Sequence, residues 1–242
     1  GKKPKEKRPT PRKVEAAGIA PLTIDGPGKP MNVMDPAFTA CLQALVETVA
    51  TDARIKGAII TSGKSDFVAG ADLKWMLQEM TRGRPVAEIH APHSTVNRVL
   101  RRLETSGKPV VAAINGTALG GGLEVCLACH HRIAARLPKT RLGLPEVTLG
   151  LLPGGGGTQR LPRLIGVQKA LELLTRGNHL SVDEALALGV IDEVVDASEL
   201  RAAALRWLQS GPEPVQPWDK RGFRIPGGTG FENPASAQLF TV

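Results

Sequence analysis

Residues 108–124, KPVVAAINGTALGGGLE, leave the chain few options. The run 109–114 (PVVAAI) is short and wholly apolar, so it reads as a strand covered on both faces. Asn115-Gly116 ends it, and a loop of small residues follows. Gly120-Gly121-Gly122 then open a helix whose first turn carries Glu124. The segment 57–61 (GAIIT) has the same buried-strand character. Residues 19–24 form a third apolar strand, closed by the turn-rich Asp25-Gly26-Pro27-Gly28-Lys29-Pro30. Between the 19–24 and 57–61 strands, Asp35-Pro36 supplies an N-cap and a first-turn proline. Phe38, Cys41, Leu42, Leu45, Val46 and Val49 then recur at helical spacing, with Cys41 on the buried face. Buried strands separated by helices imply an α/β architecture.

The second half changes character. Residues 167–174, 181–188 and 198–208 read as three successive helices, with Ser181 and Ser198 as expected N-caps. From 210 onward Pro and Gly interrupt the chain every few residues. The stretch 210–242 therefore reads as a linker or tail, and residues 14–209 as the folded domain.

Composition narrows the function classes. No apolar run approaches the roughly 20 residues of a membrane helix. Aromatics make up 3% of the chain and Tyr is absent, which argues against a nucleic-acid surface built on base stacking. The net charge of +8 is concentrated in residues 1–13, where seven Lys and Arg side chains face Glu6 alone. That Pro-rich block reads as a solvated basic leader. It has neither the apolar core of a secretory signal nor the Ser-rich amphipathic pattern of a transit peptide. Phosphate-driven RNA binding through this leader is the rival reading from a different class. The odd set Cys41, Cys126 and Cys129 suggests buried thiols in a reducing compartment.

Cys126-Leu127-Ala128-Cys129-His130 also matches C-x-x-C-H, the pattern of covalent haem attachment. The motif sits in the apolar run LEVCLAC, where cysteines three apart share a helix face as packing thiols would. His130 and His131 are adjacent and point different ways, and no second Cys pair completes a zinc set. No metal is expected.

The glycine loop offers different chemistry. A helix N-terminus presents unpaired amides with partial positive charge, and glycines let a ligand approach them closely. The loop is not a P-loop, because no G-K-[ST] follows, and no G-x-G-x-x-G fingerprint occurs after a strand. Two further stretches add weight. Asp66-Phe67-Val68-Ala69-Gly70-Ala71-Asp72-Leu73-Lys74 is another small-residue loop entering a helix. Leu144-Pro145-Glu146 places a second glutamate ahead of Gly154-Gly155-Gly156-Gly157-Thr158-Gln159-Arg160.

The ordered blocks SDFVAGADLKWM, KPVVAAINGTALGGGLE and LGLPEVTLGLLPGGGGTQRLPRLIG together resemble the enoyl-CoA hydratase/isomerase (crotonase) family over roughly residues 18–209. The third block, with ALALGVIDEVV, is most similar to the N-terminal hydratase module of multifunctional fatty-acid oxidation enzymes. QPWDKRGFRIPGG is similar to their connector toward a 3-hydroxyacyl-CoA dehydrogenase module.

The resemblance implies a crotonase spiral of ββα units with a helical C-terminal region. By motif position, the amides of Ala71 and Gly121 form an oxyanion hole for a thioester enolate. Glu124 and Glu146 become the catalytic carboxylates, and the Gly154 amide helps hold water. Ala69, Ala71, Asp72, Leu73, Lys74, Gly120 and Gly121 fall where the substrate and its CoA bind. A surface lysine is the plain alternative for Lys74, and a solvated helix face for Arg98, Arg101 and Arg102. The implied reaction is hydration of trans-2-enoyl-CoA, with Δ3,Δ2-enoyl-CoA isomerisation as the alternative and no cofactor beyond the CoA of the substrate. Implied partners are a homotrimer or, in a longer protein, a dehydrogenase module and a thiolase. The implied setting is bacterial cytoplasm, or mitochondria or peroxisomes in a eukaryote.

Overall fold

The computed structural model describes residues 14–15, 17–83, 86–229 and 232. The expected leader 1–13 and the end of the expected tail lie outside the described residues. A parallel five-stranded sheet runs in the order β1 (Ile19–Ile24), β2 (Gly57–Ser62), β3 (Val110–Ile114), β5 (His131–Ala135), β7 (Glu193–Val195). Beside it lies a smaller layer in which β4 (Ala118–Leu119) pairs with β6 (Leu142–Gly143). Single bridges extend that layer from Met34 to Ala71, from Val68 to Ala118 and from Leu142 to Leu180. Each early turn of the chain thus lays one strand in the large sheet, one short extended segment in the small layer, and then a helix. This is the ββα spiral that the resemblance implies.

The helices of these turns are α1 (Pro36–Thr51), α2 (Leu73–Thr81), α3 (Val86–Glu104) and α4 (Gly121–Ala128). Asp35 caps α1 as expected, its Oδ1 accepting from the Phe38 amide at 2.8 Å. Cys41 is only half-buried, because Leu42, Leu45, Val46 and Val49 fill the inner face of α1. Alternate residues of β3 serve two cores. Val110, Ala112 and Ile114 pack toward α1, α3 and α4, whereas Val111 and Ala113 meet the opposite cluster. Every residue of α4 from Gly122 to Ala128 is buried, which explains why it is apolar nearly all round.

The helical C-terminal region contains α5 (Gly157–Ile165), α6 (Val167–Arg176), α7 (Val182–Leu188) and α8 (Leu200–Gln209). The first three lie on the α4 side. The apolar face of α8, with Leu200, Ala203, Ala204 and Leu208, covers the other face of the large sheet. Ser181 caps α7 in a reciprocal capping box with Glu184. Ser198 does not cap α8. It sits inside a 3₁₀ turn, Ala197–Glu199, so the helix begins later, at Leu200, without a side-chain cap.

The Pro/Gly-rich stretch expected as a tail is irregular but fastened to the domain. Gln216 is buried, its Nε2 donating to the carbonyls of Ala128 (3.0 Å) and Cys129 (3.1 Å). Asp219, in the turn Pro217–Asp219, pairs with Arg101 of α3 at 2.8 Å.

Candidate active site

The two loops singled out in the sequence run side by side. Val68 bridges Ala118, and the Leu119 amide donates to the Val68 carbonyl at 3.1 Å. At the ends of these loops stand the amides of Ala71 and Gly121. Neither has an acceptor among the described residues, whereas the Ala69 amide is bound to Asn32 O (2.9 Å) and that of Gly120 to Gly143 O (2.9 Å). Gly121 opens α4, where three or four amides lack intrahelical partners. Two free donors are therefore available in adjacent loops, as an oxyanion hole requires.

Gly120 is the hinge between this corner and the glutamates. Its φ of +53° suits glycine. A Cβ there would also lie 2.8 Å from Glu146 Oε1. Glu124, one turn further into α4, is 2% exposed. Both its oxygens are engaged, Oε2 by the Gly155 amide at 2.8 Å and Oε1 by the Gly157 amide at 2.7 Å. Burial pushes this carboxyl above its ordinary range, opposed by those amides and by the nearby Arg160 guanidinium. Each oxygen keeps a lone pair for a further donor.

Glu146 lies in a 3₁₀ turn, Pro145–Leu149, across from Gly120. Its Oε2 is buried without a hydrogen-bond partner among the described residues. Burial, with the Glu124 charge adding to it, raises its pKa to about 7, against a smaller opposing backbone hydrogen bond. Two neighbouring carboxyls thus have unlike surroundings. Amides favour an ionised Glu124, and an unpaired buried oxygen favours a protonated Glu146.

The other expected residues are placed as follows. Gly154 is exposed. Its amide has no acceptor among the described residues, and its carbonyl accepts from Asn97 Nδ2 at 2.5 Å. Asp72 caps α2 (Oδ1 to the Trp75 amide, 3.1 Å) and forms an ion pair with Lys29 at 2.9 Å. Leu73 and Lys74 are exposed at the start of α2. Arg101 and Arg102 are not simply solvated, pairing with Asp219 and Glu47 respectively, while Arg98 donates to Thr95.

The C-x-x-C-H segment is occupied with packing. Cys126 and Cys129 are fully buried, and their thiols donate to Gly122 O and Val125 O at 3.3 Å. His130 Nδ1 accepts from the Val110 amide (3.1 Å), and Nε2 lies 3.2 Å from Glu104 O. His131 stacks on Trp207 instead, with ring centroids 4.7 Å apart.

Sequence reasoning missed the groups that hold Glu124. The glycine run 154–157 signalled close backbone approach, but nothing marked the amides of Gly155 and Gly157 as its partners. Lys29, which ties the caps of α1 and α2 together through Asp35 and Asp72, gave no signal either.

Comparison with known proteins identifies the family and the fold. The family profile described as enoyl-CoA hydratase/isomerase matches residues 14–213. The chain belongs to the enoyl-CoA hydratase/isomerase family. Among curated proteins of this kind, it is 46% identical over 200 residues to a fatty acid oxidation complex subunit alpha from Shewanella loihica, covering 82% of this chain and 28% of that protein. The corresponding subunit from Shewanella amazonensis is 44% identical over 202 residues, covering 83% and 28%. The chain therefore spans less than a third of the length of these relatives. Among solved structures, enoyl-CoA hydratase from Bacillus anthracis superposes with a TM-score of 0.71 at 35% identity, covering 81% of this chain and 74% of that one. DspI from Pseudomonas aeruginosa superposes with 0.72 at 33% identity, covering 83% and 80%. The fold is the crotonase fold, and the chain belongs to a family of acyl-CoA enzymes. Among the described residues, no helix is long and apolar enough to cross a membrane.

Proposed function

We propose that this chain hydrates trans-2-enoyl-CoA to 3-hydroxyacyl-CoA. The observation that carries the reading is the unequal glutamate pair: Glu124 held by two amides, Glu146 with a partnerless buried oxygen and a pKa raised to about 7. Water between them loses a proton to ionised Glu124 as its oxygen adds to C3. The C2=C3 electrons move through C2 to the thioester oxygen, which the Ala71 and Gly121 amides receive as an enolate. Protonated Glu146 then delivers its proton to C2. A fixed oxyanion donor is typically worth about 10²–10³ in rate. The reaction so written uses no cofactor beyond the CoA of the substrate, whose thioester lies along residues 69–74 and 120–121. The Gly154 amide, free to donate, is suited to orient the water. The curated relatives are named as subunits of a fatty acid oxidation complex. On that likeness, this chain acts on fatty acyl thioesters and works beside dehydrogenase and thiolase activities.

Crotonyl-CoA hydration, followed by loss of enoyl-thioester absorbance, tests the reading. Glu124→Gln and Glu146→Gln are each expected to lower kcat by about 10²–10⁴-fold, the usual worth of a positioned acid or base. Hydration that survives Glu146→Gln would overturn the assignment. A second reading, Δ3,Δ2-enoyl-CoA isomerisation, is favoured by Glu146 alone, because one carboxyl near neutrality can shuttle a proton between carbons. Isomerisation that persists in Glu124→Gln while hydration is lost would select it.

A further inference from the structure

Behind the glutamate pair lies a third buried carboxylate that the reaction does not use. Glu104, at the end of α3, is 2% exposed and faces Arg160 of α5. Arg160 Nε donates to Oε1 at 2.6 Å and Nη2 to Oε2 at 3.2 Å, a two-pronged pair. The remaining prong, Nη1, donates to the Gly155 carbonyl at 2.7 Å. Gly155 in turn directs its amide at Glu124. A continuous chain of hydrogen bonds therefore runs from Glu104 through Arg160 and Gly155 to Glu124.

We propose that Arg160 is a positioning residue for Glu124, clamped by Glu104 so that the 154–157 loop turns two backbone amides onto the carboxylate. A buried ion pair is costly to desolvate, and an apolar pair of similar volume often replaces one without loss of stability. The pair is therefore better explained by what it orients than by what it stabilises. Only a guanidinium meets a carboxylate with two nitrogens while a third holds a carbonyl, and lysine offers a single point charge. The close fit is visible at Gly155, where a Cβ would lie 2.5 Å from Glu124 Oε2.

The charged groups around Glu124, among the described residues, come from every side. Glu146 lies on the 3₁₀ turn and Arg160 on α5. Glu104 and Arg101 on α3 stand behind Arg160, the latter 3.1 Å from Glu104 Oε2. Arg132 on β5 is turned to Asp192, and β3 and β4 carry no ionisable side chain. Burial raises the Glu124 pKa, and Arg160 is the cation whose field opposes that rise.

This inference rests on Glu124 as the base of the proposed hydration, so its test includes a readout independent of turnover. Glutamate labelled with 13C at the carboxyl carbon reports the Glu124 titration by NMR, assigned through Glu124→Gln. The comparison uses wild type, Arg160→Lys and the double variant Glu104→Met/Arg160→Met, which removes both charges and keeps the volume filled. In the double variant the Glu124 titration should move up, because the cation opposing the burial effect is gone. The crotonyl-CoA kcat should fall about 10²-fold, the scale of a misplaced catalytic group, with KM within about threefold. The acid limb of the rate profile should follow the NMR titration. Arg160→Lys should restore part of the titration shift but little of kcat. Loss of stability alone, with the Glu124 titration and kcat unchanged, would overturn the proposal. A wild type that hydrates nothing would sink the hydratase reading, and the NMR titration would still decide this one.

Discussion

At its N-terminus α4 presents the Gly121 amide, without an acceptor among the described residues, and Glu124 within its first turn. At its C-terminus the carbonyls of Val125, Cys126, Ala128 and Cys129 all have donors. Gln216 donates to those of Ala128 and Cys129, and Arg132 Nη1 donates to Cys129 O at 2.9 Å. Both ends carry residues capable of chemistry, since two thiols and two imidazoles crowd the second. The difference lies in satisfaction. At the C-terminal end every thiol and His130 nitrogen has a backbone partner, and burial pushes the Cys129 thiol up to about 12. A reactive cysteine needs a thiolate and some exposure, and neither is present. At the N-terminal end donors and one carboxylate oxygen are left open, so a ligand can complete them. Reactive residue types do not by themselves make a site. Arg132 Nε near the C-terminal end also lacks a partner among the described residues, whereas at the N-terminal end open amides and an open carboxyl oxygen stand together.

That contrast can be broken most directly at Gly120. Gly120→Ala adds strain at positive φ and drives a methyl against Glu146. We expect kcat for hydration to fall about 10²-fold or more, the scale of an ångström-level misplacement, in a steady-state assay. A fall of less than about threefold would mean that this end of α4 is not the reacting corner. At the opposite end Cys129→Ala should leave kcat within about twofold while costing roughly 1–2 kcal/mol of unfolding free energy in urea, the scale of a lost buried group.

The pH dependence sharpens the asymmetry between the glutamates. Glu146 has a folded pKa of about 7 against 4.5 as its ordinary value, so the folded state holds the proton longer than the unfolded one. Its contribution to stability is fully present below about 4.5 and is lost as pH rises through about 7. Glu146→Gln should therefore gain stability relative to wild type between pH 5 and pH 8, measured as a difference in urea midpoints. The same protonation makes kcat/KM for hydration decline above about pH 7. A wild-type profile flat to pH 9 would contradict that role. The smallest effect expected is at the fastened tail. Asp219→Asn loosens a partly exposed pair with Arg101 and should cost less than about 1 kcal/mol.

Much of this was legible before any coordinates. The strand at 19–24, the capped start of α1 and the Ser181 cap depend on residues a few positions apart, where hydrophobic runs and turn chemistry act directly. The same local logic failed at Ser198, because a 3₁₀ turn took up the residues read as a helix start. It also under-read 210–229, whose Pro and Gly content signals irregular chain but says nothing about what that chain touches. Glu124 and Glu146 stood out through their glycine-rich surroundings.

What makes Glu124 different from Glu146 was not legible. Its amide partners are 31 and 33 residues away, and the Arg160–Glu104 clamp joins residues 56 apart. Propensity and motif act over a turn or two of chain. Which donor meets which oxygen depends on how α3, α4 and α5 pack against one another, and the solvation of a buried carboxyl follows from that packing. The sequence thus specified the elements and the reactive residues, because those preferences are local. The protonation asymmetry of the pair arose from long-range packing, because desolvation and hydrogen bonding belong to the assembled interior.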